Sequence, residues 1–278
     1  MAADKLNAFQ GEAHRPFTLT GGKAAALLVH GFPGSPAEMR PIATRLNEAG
    51  WTARGMLLPG FGAEFEDIVN KRKEDWLGAI NDELSRLRQE HETVILVGNS
   101  MGGALAIEST ATSDNRPDAL ILFAPFWKIN HIAWSALPFI SLLLPQPQLF
   151  KYLTLDFDDP DVREGIHNFM PDADLDDPAV REEIRGSRIP VKMFAEIRRA
   201  GHAAYRHAAG VRVPSLVIQG AADELVRPEL TQKLISRFRA TVRYHEVEAE
   251  HNTVLPDTSA WEAVSQHIIE FAQKQRRA

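Results

Sequence analysis

Two hydrophobic periods alternate along the chain. Residues 24–29 form an unbroken apolar run, Ala24-Ala25-Ala26-Leu27-Leu28-Val29, with the length of a buried strand. Ser35-Pro36 then opens a helix over 36–49, with serine at the N-cap and proline at the first helical position. Met39, Ile42, Ala43 and Leu46 share one face of it, and Gly50 ends it. The pattern predicts a strand at 51–58, a loop at 59–62, and a helix at 74–90 with Trp76, Ile80, Leu84 and Leu87 on one side. Strands are expected again at 93–97 and 119–123, with a short edge strand around 17–19.

The alternation then stops. From 126 to about 209 the chain offers helix-like pieces, many prolines and an acid-rich run at 156–177, but no good strand. It resumes with a strand at 214–219, a helix at 228–238, a strand at 241–247 and a helix at 261–273. Strand–helix alternation on both sides of a non-alternating block predicts a mostly parallel central sheet flanked by helices, an α/β core at 1–125 and 210–278. The block at 126–209 is expected to be an inserted helical cap. Its apolar stretch 129–144 contains Asn130, His131 and Pro138 and is too short to span a bilayer, so it reads as a buried or interfacial helical segment.

Composition narrows the function classes. The 278 residues carry a formal net charge of -6, which gives no reason to expect nucleic-acid binding. No cysteine is present, so disulfides, cysteine nucleophiles and cysteine-ligated metals are excluded. The first twenty residues lack the apolar core of a secretory signal, which makes a cytoplasmic protein the expectation.

The chemistry gathers after the strands. The run 94–97 leads into Gly98-Asn99-Ser100-Met101-Gly102 and then a small-residue helix. This is the pattern of a nucleophile elbow, a strained strand-to-helix turn that holds a serine hydroxyl proud of a sheet. A serine needs a base, an acid to orient that base, and donors for the oxyanion. Asp223 follows the strand at 214–219, with Glu224 as an adjacent competitor, and His251 follows the strand at 241–247. The oxyanion donors are expected to be the N–H groups of Met101, at the helix start, and Phe32, in the loop His30-Gly31-Phe32. His30 is read as a brace for that loop, not as a base.

These pieces resemble the α/β-hydrolase family, and within it the small bacterial carboxylesterases and monoacylglycerol lipases. The matching residues are His30-Gly31-Phe32 with Gly34-Ser35-Pro36, Leu58-Pro59-Gly60 with Gly62, the elbow from Gly98 to Gly102, Gly220 with Asp223 and Val226, and His251 followed by Asp257. The resemblance implies an α/β-hydrolase fold and a cofactor-free serine hydrolase of carboxylic esters. It would work through an acyl-enzyme on Ser100, with His251 as base and Asp223 as acid. Related bonds on the same triad (thioester, amide, carbon–carbon) remain open, as does a non-catalytic ligand-binding protein on this scaffold. The group usually has a histidine where this chain has Phe61, so one polar group near the site is replaced by an aromatic wall. Haloalkane dehalogenases and epoxide hydrolases resemble the fold but carry aspartate at the position of Ser100.

Phe32, Phe61, Trp127, Ile129 and Trp134 are the candidates for substrate contact. The cap residues among them either line an acyl pocket, which could also touch a lipid surface, or simply pack the cap onto the core. No metal site is expected. His202 and His207 are five apart and off a common helix face. The run Asp172, Asp174, Asp176 has Asp177 where a calcium loop needs glycine, and Asp177-Pro178 reads better as a helix start. The expected partner is a small-molecule or lipid ester, with oligomeric state left open.

Overall fold

The computed structural model describes residues 9, 11–129, 156–169, 173–186 and 191–276. Its centre is a seven-stranded sheet: β1 (Phe17–Leu19), β2 (Ala24–Val29), β3 (Thr52–Met56), β4 (Thr93–Asn99), β5 (Ala119–Phe123), β6 (Ser215–Gly220) and β7 (Val242–Val247). The order across the sheet is β1-β3-β2-β4-β5-β6-β7. Only the β1–β3 pair is antiparallel; the five other pairs are parallel.

Strands β2 and β5 and the middle of β4 alternate sides with period two, yet their residues are apolar because both faces are covered. On β2, Ala25, Leu27 and Val29 enter one core, and Ala24, Ala26 and Leu28 enter the other. On β4, Val94 and Leu96 join the first, and Ile95 and Val97 the second. The second core is closed by α1 (Pro36–Glu48), through Met39, Ile42 and Leu46, and by α8 (Trp261–Gln275), through Val264, Ile268 and Phe271. Three large side chains fully buried from α1 alone are worth ~1.5–3 kcal/mol each relative to exposure. The first core is closed by α2 (Lys73–Glu90) and α3 (Met101–Thr112), with help from the helices Val191–His207 and Pro228–Ile235.

The strand expected at 51–58 is shorter, Thr52–Met56. Trp51 N–H closes the turn after α1 on Leu46 O, and Leu58 N–H is taken by the His30 ring. Likewise the helix expected at 228–238 ends early, as α7 (Pro228–Ile235). Arg237 and Phe238 donate to Leu234 and Ile235, in tight three-residue turns that do not continue an α-helix.

The described residues between 126 and 209 form α4 (Pro160–Phe169), α5 (Pro178–Gly186) and α6 (Val191–His207), with no strand among them. Phe157, Ile166, Ala173, Leu175, Val180 and Ile184 make a separate small core under α4 and α5. Helix α6 instead belongs to the main body. Gly201 lets it approach closely, since a Cβ there would lie 2.6 Å from Trp127 O. An ion-pair network, buried at Lys73 and Glu108 and half-exposed at Arg199 and Glu74, ties α6 to α2 and α3. Lys73 Nζ lies 2.7 Å from Glu108, Lys73 N–H donates to Glu196 at 3.0 Å, and Arg199 bridges Glu196 at 2.7 Å and Glu74 at 2.8 Å. The apolar stretch 129–144 lies outside the described residues from position 130 onward. Among the described residues no helix is long and apolar enough to cross a membrane.

Candidate active site

Ser100 sits between β4 and α3 at φ 50°, ψ -112°. A non-glycine residue rarely adopts this positive φ, and it persists only where the surroundings over-determine it. Here they do. Ser100 N–H donates to Phe123 O at 2.9 Å, and Ser100 O accepts from Ala104 and Phe126, both at 3.1 Å. The flanking glycines are sterically required. A Cβ on Gly98 would lie 2.6 Å from Gly102 O, and one on Gly102 would lie 2.4 Å from both Val29 O and His30 O. Backbone cannot yield such room cheaply.

Three side chains from three loops converge at the C-terminal ends of β4, β6 and β7. Ser100 Oγ lies 3.0 Å from His251 Nε2, and His251 Nδ1 lies 2.7 Å from Asp223 Oδ2. The loops are laced together: Ala221 N–H donates to Val247 O at 2.9 Å and Ala222 N–H to Ala249 O at 3.0 Å. Asp223 spends all its acceptor capacity. Oδ1 takes the N–H groups of Leu225 (2.9 Å) and Val226 (2.8 Å), while Oδ2 takes Gln219 Nε2 (3.0 Å) and His251 Nδ1. An acceptor-only carboxylate fixes the proton on Nδ1 and leaves Nε2 to accept from the serine hydroxyl. The Asp223 side chain is 0% exposed and that of His251 is 21% exposed, so solvent reaches the imidazole and not the acid.

The loop after β2 lies beside the elbow because β2 and β4 are neighbours, with Val29 opposite Gly98. A Cβ on Gly31 would stand 3.2 Å from Ser100 Cβ. His30 is fully buried and spans two backbone groups. Leu58 N–H donates to Nε2 at 3.1 Å, so Nδ1 carries the proton and donates to Gly31 O at 2.8 Å. Burial lowers its pKa to about 4, against a weaker raising effect of the Gly31 bond, which keeps the ring neutral at pH 7. Fixing Gly31 O also fixes the N–H of Phe32, which points the opposite way in the same planar peptide. Met101 is the first residue of α3, where N–H groups have no intrahelical acceptor.

An aromatic wall follows. The Phe32 ring meets Phe61 at 6.2 Å and Phe194, from α6, at 5.6 Å, all edge-on. Phe61 stands one layer back, buried between His30 (5.0 Å) and Trp76 (5.8 Å). Trp127 is buried, stacks on Tyr205 at 4.2 Å and donates Nε1–H to Leu230 O at 2.8 Å, holding α6 and α7 together. Ile129 is partly buried against the main core. Trp134 lies outside the described residues.

His245, the other histidine near the last strand, is turned away. It stacks on His267 at 3.7 Å in a cleft of about 380 Å³ at the sheet's β7 edge. Glu224 is exposed beside the buried Asp223. The described acids of the 156–177 run cap turns and pair with arginines: Asp177 Oδ1 accepts Ala179 N–H at 2.8 Å, and Arg163 meets Asp176 at 3.0 Å. Among the described residues no group of three or more His, Asp or Glu is placed to hold a metal ion.

Sequence reasoning misses Gln219, Thr231, Glu38, Asn99 and Phe194. Gln219 and Asn99 do carry a signal, a polar residue near the end of an otherwise apolar strand. Thr231 gives none by itself; its hydroxyl donates to Gln219 Oε1 at 2.6 Å and so holds the amide that faces Asp223. Glu38 looks like any first-turn acid of a helix, yet its Oε1 accepts Gly31 N–H and, at 3.2 Å, Asn99 Nδ2. Burial raises its pKa; the bonds from Gly31 and Asn99 and the nearby His251 pull the other way.

Comparison with known proteins places this arrangement. The family model described as "Serine aminopeptidase, S33" (Hydrolase_4) matches residues 21–253. The chain is 30% identical over 164 residues to the thermostable monoacylglycerol lipase of Bacillus sp. (strain H-257), covering 58% of this chain and 62% of that one. It is 36% identical over 95 residues to a carboxylesterase of Bacillus subtilis (strain 168), covering 34% and 39% respectively. The matches thus span less than two thirds of either relative. A solved structure from work on LipS and LipT, two metagenome-derived lipolytic enzymes, superposes with a TM-score of 0.73 at 20% identity, covering 95% of this chain and 98% of that one. The expected fold, a mostly parallel sheet flanked by helices in the α/β-hydrolase arrangement, is the fold observed.

Proposed function

From the premise that this chain belongs to the Hydrolase_4 family (serine aminopeptidase, S33), we propose that it is a serine hydrolase of carboxylic esters, acting on monoacylglycerols or short-to-medium acyl esters. The observation that carries the reading is the unbroken chain Ser100–His251–Asp223, at 3.0 and 2.7 Å, beside the Gly31–Phe32 loop. The names of the two Bacillus relatives support the ester as the bond.

In this mechanism Ser100 Oγ attacks the ester carbonyl while His251 Nε2 takes the hydroxyl proton. Asp223 holds the imidazole and stabilises its cation. The carbonyl oxygen becomes an oxyanion between Phe32 N–H and Met101 N–H, each worth roughly 3–4 kcal/mol in the transition state. Collapse expels the alcohol, which takes the proton from His251 and leaves an acyl-enzyme on Ser100. Water, deprotonated by His251, then attacks the acyl carbon, and Ser100 leaves with that proton. No step calls for a metal or cofactor. Phe32 and Phe194 would meet the acyl chain first, with Phe61 behind them. The cap would lie within the segment 126–209; the small separate core under α4 and α5 supports that division, while α6 packs into the main core.

The test is hydrolysis of p-nitrophenyl esters from acetate to palmitate by wild type and Ser100→Ala. Activity that falls by at least ~10⁴-fold in a folded Ser100→Ala variant is the expected result. A folded wild type inert toward the whole series sinks the ester reading. A p-nitroanilide in the same assay separates amide cleavage, for which the family's description is the argument.

A further inference from the structure

We propose that Glu38 is a positioning residue for the oxyanion hole, clamping the loop after β2 to the nucleophile elbow through Gly31 and Asn99. The inference rests on the serine-hydrolase reading above and deepens it. One carboxylate oxygen, Oε1, accepts both Gly31 N–H and Asn99 Nδ2. Gly31 immediately precedes Phe32, and Asn99 immediately precedes Ser100. A single atom therefore joins the residue before one oxyanion donor to the residue before the nucleophile.

The surroundings are built around this carboxylate. A Cβ on Gly34 would fall 2.0 Å from Glu38 Oε2, so the loop wraps the acid with no room for a side chain. Asn99 Oδ1 is buried with no hydrogen-bond partner, so the amide is kept at a desolvation cost and its donor end is directed to Glu38. The loop's other anchor is His30, on Gly31 O. Pinned at Gly31 N–H by Glu38 and at Gly31 O by His30, the peptide carrying Phe32 N–H has little freedom to rotate. Reacting geometry is steep enough that a 1 Å displacement costs about 10²-fold in rate. An ordinary first-turn acid would only favour the helix dipole, a small effect confined to stability.

The experiment compares Glu38→Ala and Glu38→Gln with wild type. It reads kcat and KM on the best ester, the rate of covalent labelling of Ser100 by a fluorophosphonate, and the unfolding temperature. Glutamine keeps a carbonyl oxygen that can accept both donors. Expected for Glu38→Ala is a loss of ~10- to 100-fold in kcat and in labelling rate with KM within about twofold. Glu38→Gln should stay within about threefold of wild type in all of them, since the acceptor survives. The proposal is overturned if Glu38→Ala keeps its kcat and labelling rate, if both variants lose rate equally, or if only KM moves. Should Glu38→Ala fail to fold, Asn99→Ala removes the other half of the clamp, and an unchanged labelling rate there overturns it too. A wild type that labels but cleaves no ester defeats the ester reading while labelling still decides Glu38. A wild type that does not label defeats both.

Discussion

Lowering the pH from 7 to 4 should destabilise this protein through one buried imidazole, His30. In the folded state its Nε2 accepts Leu58 N–H and cannot take a proton without losing that bond. Burial also disfavours the charged ring, so its pKa falls from 6.5 to about 4. The sign follows. Above pH 6.5 both folded and unfolded chains hold a neutral ring, and the full contribution is present. Between 6.5 and 4 the unfolded chain binds a proton that the folded chain refuses. Each pH unit then costs about 1.4 kcal/mol, and the whole window about 3 kcal/mol. The control is His30→Asn, which leaves Leu58 N–H without its acceptor and so loses ~1–3 kcal/mol at pH 7. Urea unfolding of both proteins at pH 7, 5.5 and 4, followed by tryptophan fluorescence, gives the stabilities. Carboxylates titrate alike in the two, so their contribution cancels in the difference. The stability advantage of wild type over His30→Asn should shrink by about 3 kcal/mol between pH 7 and 4. An advantage of the same size at both pH values would refute the neutral, Nδ1-protonated brace.

Two other substitutions probe the site from different sides. Asp223→Asn places an NH₂ group where Oδ2 now accepts from both Gln219 and His251, because Oδ1 is already committed to two backbone N–H groups. The imidazole is driven to the tautomer that points N–H at Ser100, and kcat should fall by ~10³–10⁴-fold with KM little changed; steady-state kinetics showing less than a tenfold loss would exclude the assigned acid. Gly102→Ala drives a methyl to within 2.4 Å of two β2-end carbonyl oxygens. It should cost at least ~2 kcal/mol, at the upper end of overpacking penalties, and calorimetry should show the unfolding temperature several degrees lower. An unchanged midpoint would mean the elbow can open without cost.

Much of the fold was legible because buried parallel strands and amphipathic helices write different periods into a sequence. Val94 to Val97 read as a strand covered on both faces, and Met39, Ile42 and Leu46 as one face of a helix, and both are so in the structure. The elbow was legible for a similar reason: Gly98 and Gly102 answer local sterics, and local sterics are encoded locally. Asp223 and His251 stood out by position, each just after a strand, and the structure brings both to Ser100. Where local reading went wrong it was at element ends. Leu58, apolar and so counted into β3, instead gives its N–H to a histidine 28 residues away.

The chain alone therefore determined the α/β alternation and the strained serine turn, both set by short-range sterics and periodicity. Which groups touch was decided only by the sheet order. Placing β2 beside β4 brings Gly31 against Ser100 and gives Glu38 both Gly31 and Asn99 as partners. Placing β6 beside β7 laces the Asp223 loop to the His251 loop, while His245, on β7 itself, faces away to His267. Gln219 and Thr231 became part of the site only when α7 packed on β6. Hydrogen-bond partners separated by tens of residues leave no periodic trace, because their pairing depends on where the backbone carries them.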